Sequence, residues 1–266
     1  MRSDIYIGHR KYKLDLSKPI DLSIPIYFNG EQPNTYGVEK ASSAPYHDGQ
    51  FIGDRRKNGP CNFETYQLTP HCNGTHTECI GHITKERIDI LSSLNEVMVP
   101  SYLISIKPEH TDELYSPDLK KEDLLITKKL LETKLSGVSK DFLRGLIIRT
   151  LPNLKKKKTQ DYIIDPSSFF SIDAMEYICK IGVQHLLVDI PSVDRLFDEG
   201  ILSAHNIFWE TQEKEYNSKT KNKTITEMIF VENKILDGRY LLNIQIPAFV
   251  ADAAPSRPII FKINDL

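Results

Sequence analysis

The stretch Ser171-Ile-Asp-Ala-Met-Glu-Tyr-Ile-Cys-Lys-Ile-Gly-Val-Gln-His-Leu-Leu-Val-Asp-Ile190 decides the fold. Ser171 stands where a helix N-cap belongs and Gly182 where a C-cap belongs, so one helix is predicted between them. An apolar strand, residues 183–190, follows at once. Upstream, Gly145-Leu-Ile-Ile-Arg-Thr150 reads as a second buried strand. Strand, helix, strand in that order implies a parallel pair joined by a right-handed crossover, hence an α/β fold. Working outward, strands are expected at 21–28 (an edge strand, because Pro25 interrupts it), 63–68, 97–106, 228–233 and 240–246. Residues 203–210 begin another helix. The charged, Leu-periodic stretch 109–140 suggests one or two short surface helices.

The connecting segments carry their own expectations. Residues 1–20 suggest an arm or edge strand. Residues 29–62 are rich in Gly, Pro, Asn and Ser, the composition of a long loop of the kind that forms lids and binding loops. The lysine run Lys155-Lys-Lys-Lys158 reads as a solvated loop, and 210–226 as an exposed polar insertion. No internal repeat or low-complexity linker divides the chain, so 1–266 is expected to be a single domain. With 266 residues, 40% hydrophobic and 26% charged, a core can be buried without staples. The net charge of −2 offers no field to hold nucleic acid or an anionic membrane surface. The four cysteines form no Cys-x-x-Cys pair, and the chain shows neither a secretory signal nor an apolar run of membrane-spanning length. A cytoplasmic protein with a small-molecule partner is the expectation.

Chemistry concentrates in Thr69-Pro-His-Cys-Asn-Gly-Thr-His-Thr-Glu-Cys-Ile-Gly-His82. Side chains at even separations share one face of an extended chain, which projects His76, Glu78 and His82 together, with Cys72 in the same parity. Imidazole, carboxylate and thiolate are the usual ligands of zinc and its first-row neighbours. Gly74 would allow a bend in the chain. Three histidines and a glutamate within twelve residues point to a metal site rather than to isolated core histidines.

Gly74-Thr-His-Thr-Glu-Cys-Ile-Gly-His82 resembles the Gly-Thr-His-x-Asp-x-Pro-x-His signature of the cyclase family, which includes bacterial kynurenine formamidase and isatin hydrolase. The likeness extends to Asp21-Leu-Ser-Ile-Pro-Ile26, Leu146-Ile-Ile-Arg-Thr150, Val188-Asp-Ile-Pro-Ser-Val-Asp194, Ser203-Ala-His205, Phe230-Val-Glu-Asn233 and Ala254-Pro-Ser-Arg-Pro258, in the family's order. It implies a mixed, partly barrel-like sheet with flanking helices, of the swivelling β/β/α type, in a homodimer or larger homo-oligomer. It further implies metal ligation by His76, Glu78, His205 and Glu232 plus one residue before Gly74, with His82 as general acid/base. Strand parity favours Cys72 for that remaining ligand. A bulge at Asn73 with retention of an imidazole favours His71, which is preferred. Glu78 stands where the family has Asp, and Ile80 where it has Pro; the insertion after His205 is long.

The activity so implied is metal-dependent hydrolysis of a C–N bond in a small amide, formamide or lactam. A divalent cation makes hydroxide available near neutral pH, and an imidazole shuttles the proton to the leaving nitrogen. Zinc is the first choice and manganese the second, since both accept histidine and carboxylate. Two rivals stand beside this reading: a kynurenine formamidase proper, and a non-catalytic metal- or ligand-binding protein on the same fold. Among other residues, Asp189 and Asp194 suit either turn capping or support of a ligating imidazole. Arg149 reads as a structural ion pair and Glu210 as solvated. Tyr46, His47 and Phe51 are candidates for pocket lining no stronger than loop packing. Trp209 reads as core or interface filling, and His9, His110 and His185 as unremarkable.

Overall fold

The computed structural model describes residues 1–211 and 215–265. Eleven strands form one mixed sheet: β1 (Arg2–Ile7), β2 (Arg10–Asp15), β3 (Ile20–Asp21), β4 (His76–Glu78), β5 (Val99–Ile106), β6 (Gly145–Thr150), β7 (His185–Val188), β8 (Thr224–Glu227), β9 (Gly238–Asn243), β10 (Ala253–Pro255) and β11 (Ile259–Asp265). Their spatial order is β1-β2-β11-β9-β5-β6-β7-β8-β4-β10, with β3 beside β11. The middle of the sheet, β5-β6-β7-β8, is parallel, and its flanks are antiparallel. The order is an open path: among the described residues no pairing joins its ends into a barrel.

Among the described residues five α-helices accompany the sheet: α1 (Pro70–Asn73), α2 (Ile90–Ser93), α3 (Lys128–Leu135), α4 (Ile172–Lys180) and α5 (Ser203–Phe208). None is long and apolar enough to cross a membrane. The crossover is as expected. Ser171 Oγ accepts from the backbone N–H of Ala174 at 3.1 Å, capping α4, and Gly182 ends the helical stretch at φ +88°, a left-handed conformation that L side chains rarely adopt. Ala174, Met175 and Ile178 of α4 pack on Leu146 and Ile148 of β6 and on Leu186 and Val188 of β7. The alternate residues Ile147 and Leu187 face a second core with Leu22, Leu103 and Leu242. Burial on both faces explains why β6 is apolar almost throughout, as parallel strands require.

Four expectations need correction. Within 21–28 only Asp21 is in a strand, because Asp21 Oδ1 accepts from Ser23 N at 2.9 Å and turns the chain. The strand expected at 228–233 ends earlier, at Glu227, and Met228 takes φ 52°. Within 109–140, by contrast, the expectation of one or two short helices holds, with one α-helix at Lys128–Leu135. The segment 210–226 is not wholly exposed. Residues 212–214 lie outside the described residues, but Thr220 and 223–226 are buried, and Trp209, fully buried, donates from Nε1 to Lys223 O at 3.0 Å. The lysine run is likewise partly docked: Lys157 Nζ reaches the buried Asp189 carboxylate at 2.7 Å.

Candidate metal centre

The short strand β4 sits between two antiparallel neighbours, and this register assembles the site. Glu227 lies opposite His76, and Ala253 lies opposite Glu78, so Asp252 arrives beside them. Directly opposed residues of an antiparallel pair share a face, which sets the Glu227 carboxylate against the His76 ring. Thr75 fixes the approach to β4, since its Oγ1 accepts from Ile24 N at 2.8 Å and donates to Met228 O at 2.5 Å. Gly74 is extended rather than bent and lies close to Ile26, so its role is close packing.

The strand-parity argument holds only for His76 and Glu78. Before Gly74 the chain forms the single helical turn α1, which turns His71 toward β4 while the buried Cys72 lies beside Thr35. After Glu78, residues Ile80–His82 form a 3-10 turn that brings His82 back toward Glu78. His205 comes from α5. Asp194 stands at the N-terminus of that helix and accepts from Ala204 N at 2.7 Å, from His205 N at 3.1 Å and from His205 Nδ1 at 2.6 Å. Of the two roles open to Asp194, it performs both. Asp189 does neither at this site, for it receives Thr150 and Lys157.

Three imidazoles therefore have one nitrogen anchored and the other turned toward the cluster. His76 Nδ1 contacts Gly74 O at 3.0 Å, His205 Nδ1 contacts Asp194, and His71 Nε2 contacts Asp252 Oδ2 at 2.9 Å. Carbonyl and carboxylate oxygens only accept, so each anchored nitrogen carries the proton. The remaining nitrogens converge on carboxylates: His76 Nε2 on Glu227 Oε2 at 3.3 Å, His71 Nδ1 on Glu78 Oε2 at 3.1 Å, and His205 Nε2 on Glu78 Oε1 at 3.2 Å. Yet His76 Nε2 and Glu78 Oε2, both buried, have no hydrogen-bond partner of acceptable geometry. A nitrogen lone pair facing an anionic oxygen in a dry interior is repulsive unless positive charge lies between them. A divalent cation fits that requirement. His71, His76 and Glu78 offer donor atoms mutually within 4.8 Å, as do Glu78, His82 and His205.

The ionisation of the cluster carries the same message. Burial opposes charge on Glu78, but His82, His205 and His71 hold its carboxyl well below the usual range. Burial likewise opposes a proton on His205, and Asp194 and Glu78 overcome it, raising that ring well above the ordinary histidine value. His71 is carried up to about 10 against burial by Asp252 and Glu78. Without a cation the site gathers protons, and a metal that binds imidazole and carboxylate displaces them.

Of the residues expected from sequence, His71, His76, Glu78, His82 and His205 meet here. Glu232 does not. Its side chain is 41% exposed and pairs with Lys158 at 3.1 Å, because the strand ends at Glu227 and the chain turns away at Met228. Glu227 and Asp252 stand in the cluster without having been singled out. The alternation Thr224-Ile-Thr-Glu227 could have flagged the first, whereas nothing in the pattern marked Asp252. Tyr46 and Phe51 pack with Phe63 in a loop cluster, with ring centroids 5.0 to 6.2 Å apart. Arg149 is structural, binding Ser105 Oγ, Asp237 and the carbonyls of Glu232 and Ile235.

The chain is similar to known proteins along most of its length. The family described as "Putative cyclase" matches residues 14–195. A kynurenine formamidase of Bacillus cytotoxicus is 23% identical over 249 residues, covering 93% of this chain and 96% of that one. A predicted metal-dependent hydrolase from Bacillus stearothermophilus superposes with a TM-score of 0.60 at 18% identity, covering 92% of this chain and 98% of the other. An isatin hydrolase bound to the product analogue thioisatinate gives 0.61 at 14% identity, with 93% of each chain covered.

Proposed function

Because this chain belongs to the putative cyclase family, we propose that it is a metal-dependent hydrolase cleaving the C–N bond of a small amide, formamide or lactam. The observation that carries this reading is the convergence of imidazole nitrogens on buried carboxylates, with His76 Nε2 and Glu78 Oε2 left unsatisfied. His71, His76, Glu78, His205 and Glu227 would hold the cation, zinc first and manganese second. Bound there, a divalent cation supplies an activated water and polarises a carbonyl oxygen.

The chain's own residues supply the rest. Asp194, Asp252 and Gly74 O each anchor one nitrogen of a ring, which turns the other nitrogen toward the carboxylates of Glu78 and Glu227. His82 is held less tightly. Its Nε2 lies 3.8 Å from Glu78 Oε2, and its side chain is 28% exposed, on the open side of the cluster. From that position Nε2 takes a proton from the attacking water and returns it to the leaving nitrogen. The names of the relatives support formamides and isatin-type lactams as the first substrates to try. Tyr36 is a candidate contact for such a ring. Burial, then the charges of Glu227 and Asp198, keep its phenol protonated, and its ring packs edge-on against Phe197 with centroids 5.7 Å apart.

The test is hydrolysis of an aryl formamide and a lactam panel by the zinc- and manganese-loaded protein, alongside His82→Ala. Turnover that His82→Ala abolishes with metal retained is the expected result. A loaded protein that binds these compounds without cleaving any would move the reading to a binding protein on the same fold.

A further inference from the structure

We infer that Asp252 is a positioning residue that holds His71 and His82 in register, so that one carboxylate sets both a metal-facing ring and the proton-transfer ring. The inference rests on the hydrolase reading and extends the role of Asp252 from His71 to the proton-transfer ring of His82. Asp252 Oδ2 contacts His71 Nε2 at 2.9 Å, and the same oxygen lies 3.5 Å from His82 Nδ1. The two rings stack at a centroid distance of 4.3 Å and an angle of 30°. With one face of the stack tied to a single oxygen, the opposite nitrogens, His71 Nδ1 and His82 Nε2, both point to Glu78 Oε2, at 3.1 and 3.8 Å.

The backbone that carries the carboxylate is itself held in place. Asp252 O accepts from Cys79 N at 3.0 Å, and Ala251 O accepts from Ile90 N at 2.7 Å, so the backbone on either side is pinned immediately before β10. A carboxylate accepting from Nδ1 leaves Nε2 as the basic nitrogen, the tautomer that proton transfer at the cluster requires. Without it an imidazole samples both tautomers and turns more freely. Asp252 touches neither of the other ring anchors, Asp194 and Gly74 O, so its loss acts on His71 and His82.

The experiment uses zinc-loaded protein labelled with 15N-histidine, as wild type, Asp252→Asn and Asp252→Glu. Ring-nitrogen spectra, zinc stoichiometry and hydrolysis are measured on the same samples. In the wild type His82 should show the Nδ1–H form, and in Asp252→Asn a mixture. Asp252→Asn should lower kcat by about 10- to 100-fold with KM changed by less than about twofold, and Asp252→Glu should recover part of the loss. Unchanged His82 ring signals in Asp252→Asn would overturn the inference. So would a second zinc equivalent in the wild type that Asp252→Asn lacks, which would make Asp252 a ligand. If the wild type cleaves no amide, the hydrolase reading fails by itself, and the ring signals still decide the role of Asp252.

Discussion

Replacing Asp194 by Asn tests whether a ligand ring is set by its partner. One Asp194 oxygen accepts from Tyr115 Oη at 3.0 Å and Ala204 N at 2.7 Å; the other accepts from His205 N at 3.1 Å and His205 Nδ1 at 2.6 Å. An asparagine can keep its oxygen on the first pair, which places its NH2 against the second. The His205 ring then relieves the clash by moving its proton, so that Nδ1 accepts from the amide and Nε2 carries the hydrogen. That hydrogen points at Glu78 Oε1, 3.2 Å away, and occupies the lone pair the cation needs. The backbone N–H of His205 remains buried without an acceptor, a loss of about 1–3 kcal/mol of stability. Zinc affinity should fall by about 10- to 100-fold, the usual effect of disturbing the partner of a ligating histidine. Chelator competition gives the affinity, and urea unfolding of the metal-free protein gives the stability. Asp189→Asn is the control, since it removes an equally buried carboxylate bound to Thr150 and Lys157, outside the cluster. It should cost stability and leave zinc affinity unchanged. Zinc binding by Asp194→Asn equal to that of the wild type would refute the tautomer argument.

Two further outcomes follow from the packing. His185 is buried with Nδ1 at 2.9 Å from Thr224 Oγ1, and burial, with the nearby Arg144 charge, depresses its pKa from 6.5 to about 4. A depressed histidine contributes stability that is present above pH 6.5 and is lost as the pH falls toward 4. The loss approaches about 3 kcal/mol at 1.36 kcal/mol per unit, and His185→Gln should flatten that part of the urea-midpoint profile between pH 7 and 4.5. At Gly81 a Cβ would meet Ile88 O at 1.9 Å, a backbone atom that cannot yield cheaply. Gly81→Ala should therefore destabilise the protein by about 1–3 kcal/mol and displace the adjacent His82, lowering hydrolysis more than metal content; equal loss of both would point to global unfolding instead.

The legible parts of this chain are those where local signals and tertiary packing agree. The strand Gly145–Thr150 and the capped helix after Ser171 appear as read, because a largely apolar run and a Ser/Gly pair have few other uses. His76 and Glu78 share a face because they lie in a true strand. The neighbours of that strand defeated the same rule, since one helical turn carries His71 and a 3-10 turn carries His82. The choice of Glu227 over Glu232 depends on a strand that ends at Glu227 and on its pairing register with His76, neither of which single-sequence periodicity reports. Asp252 reaches the site through pairing of the following residue with Glu78, a contact 175 positions removed in sequence. Burial of 223–226 was hidden for a similar reason: Lys223 looks solvated in sequence, yet its Nζ caps Phe208 O at 2.9 Å while its stem fills the core.

Metal analysis of the purified protein after reconstitution with zinc tests the central claim most directly, with His76→Ala, Glu227→Ala and Glu232→Ala measured side by side. The site described here predicts that the wild type retains zinc, that His76→Ala and Glu227→Ala lose it, and that Glu232→Ala keeps it. A wild type that retains no zinc or manganese, or a Glu232→Ala variant that loses zinc while Glu227→Ala retains it, would contradict the account.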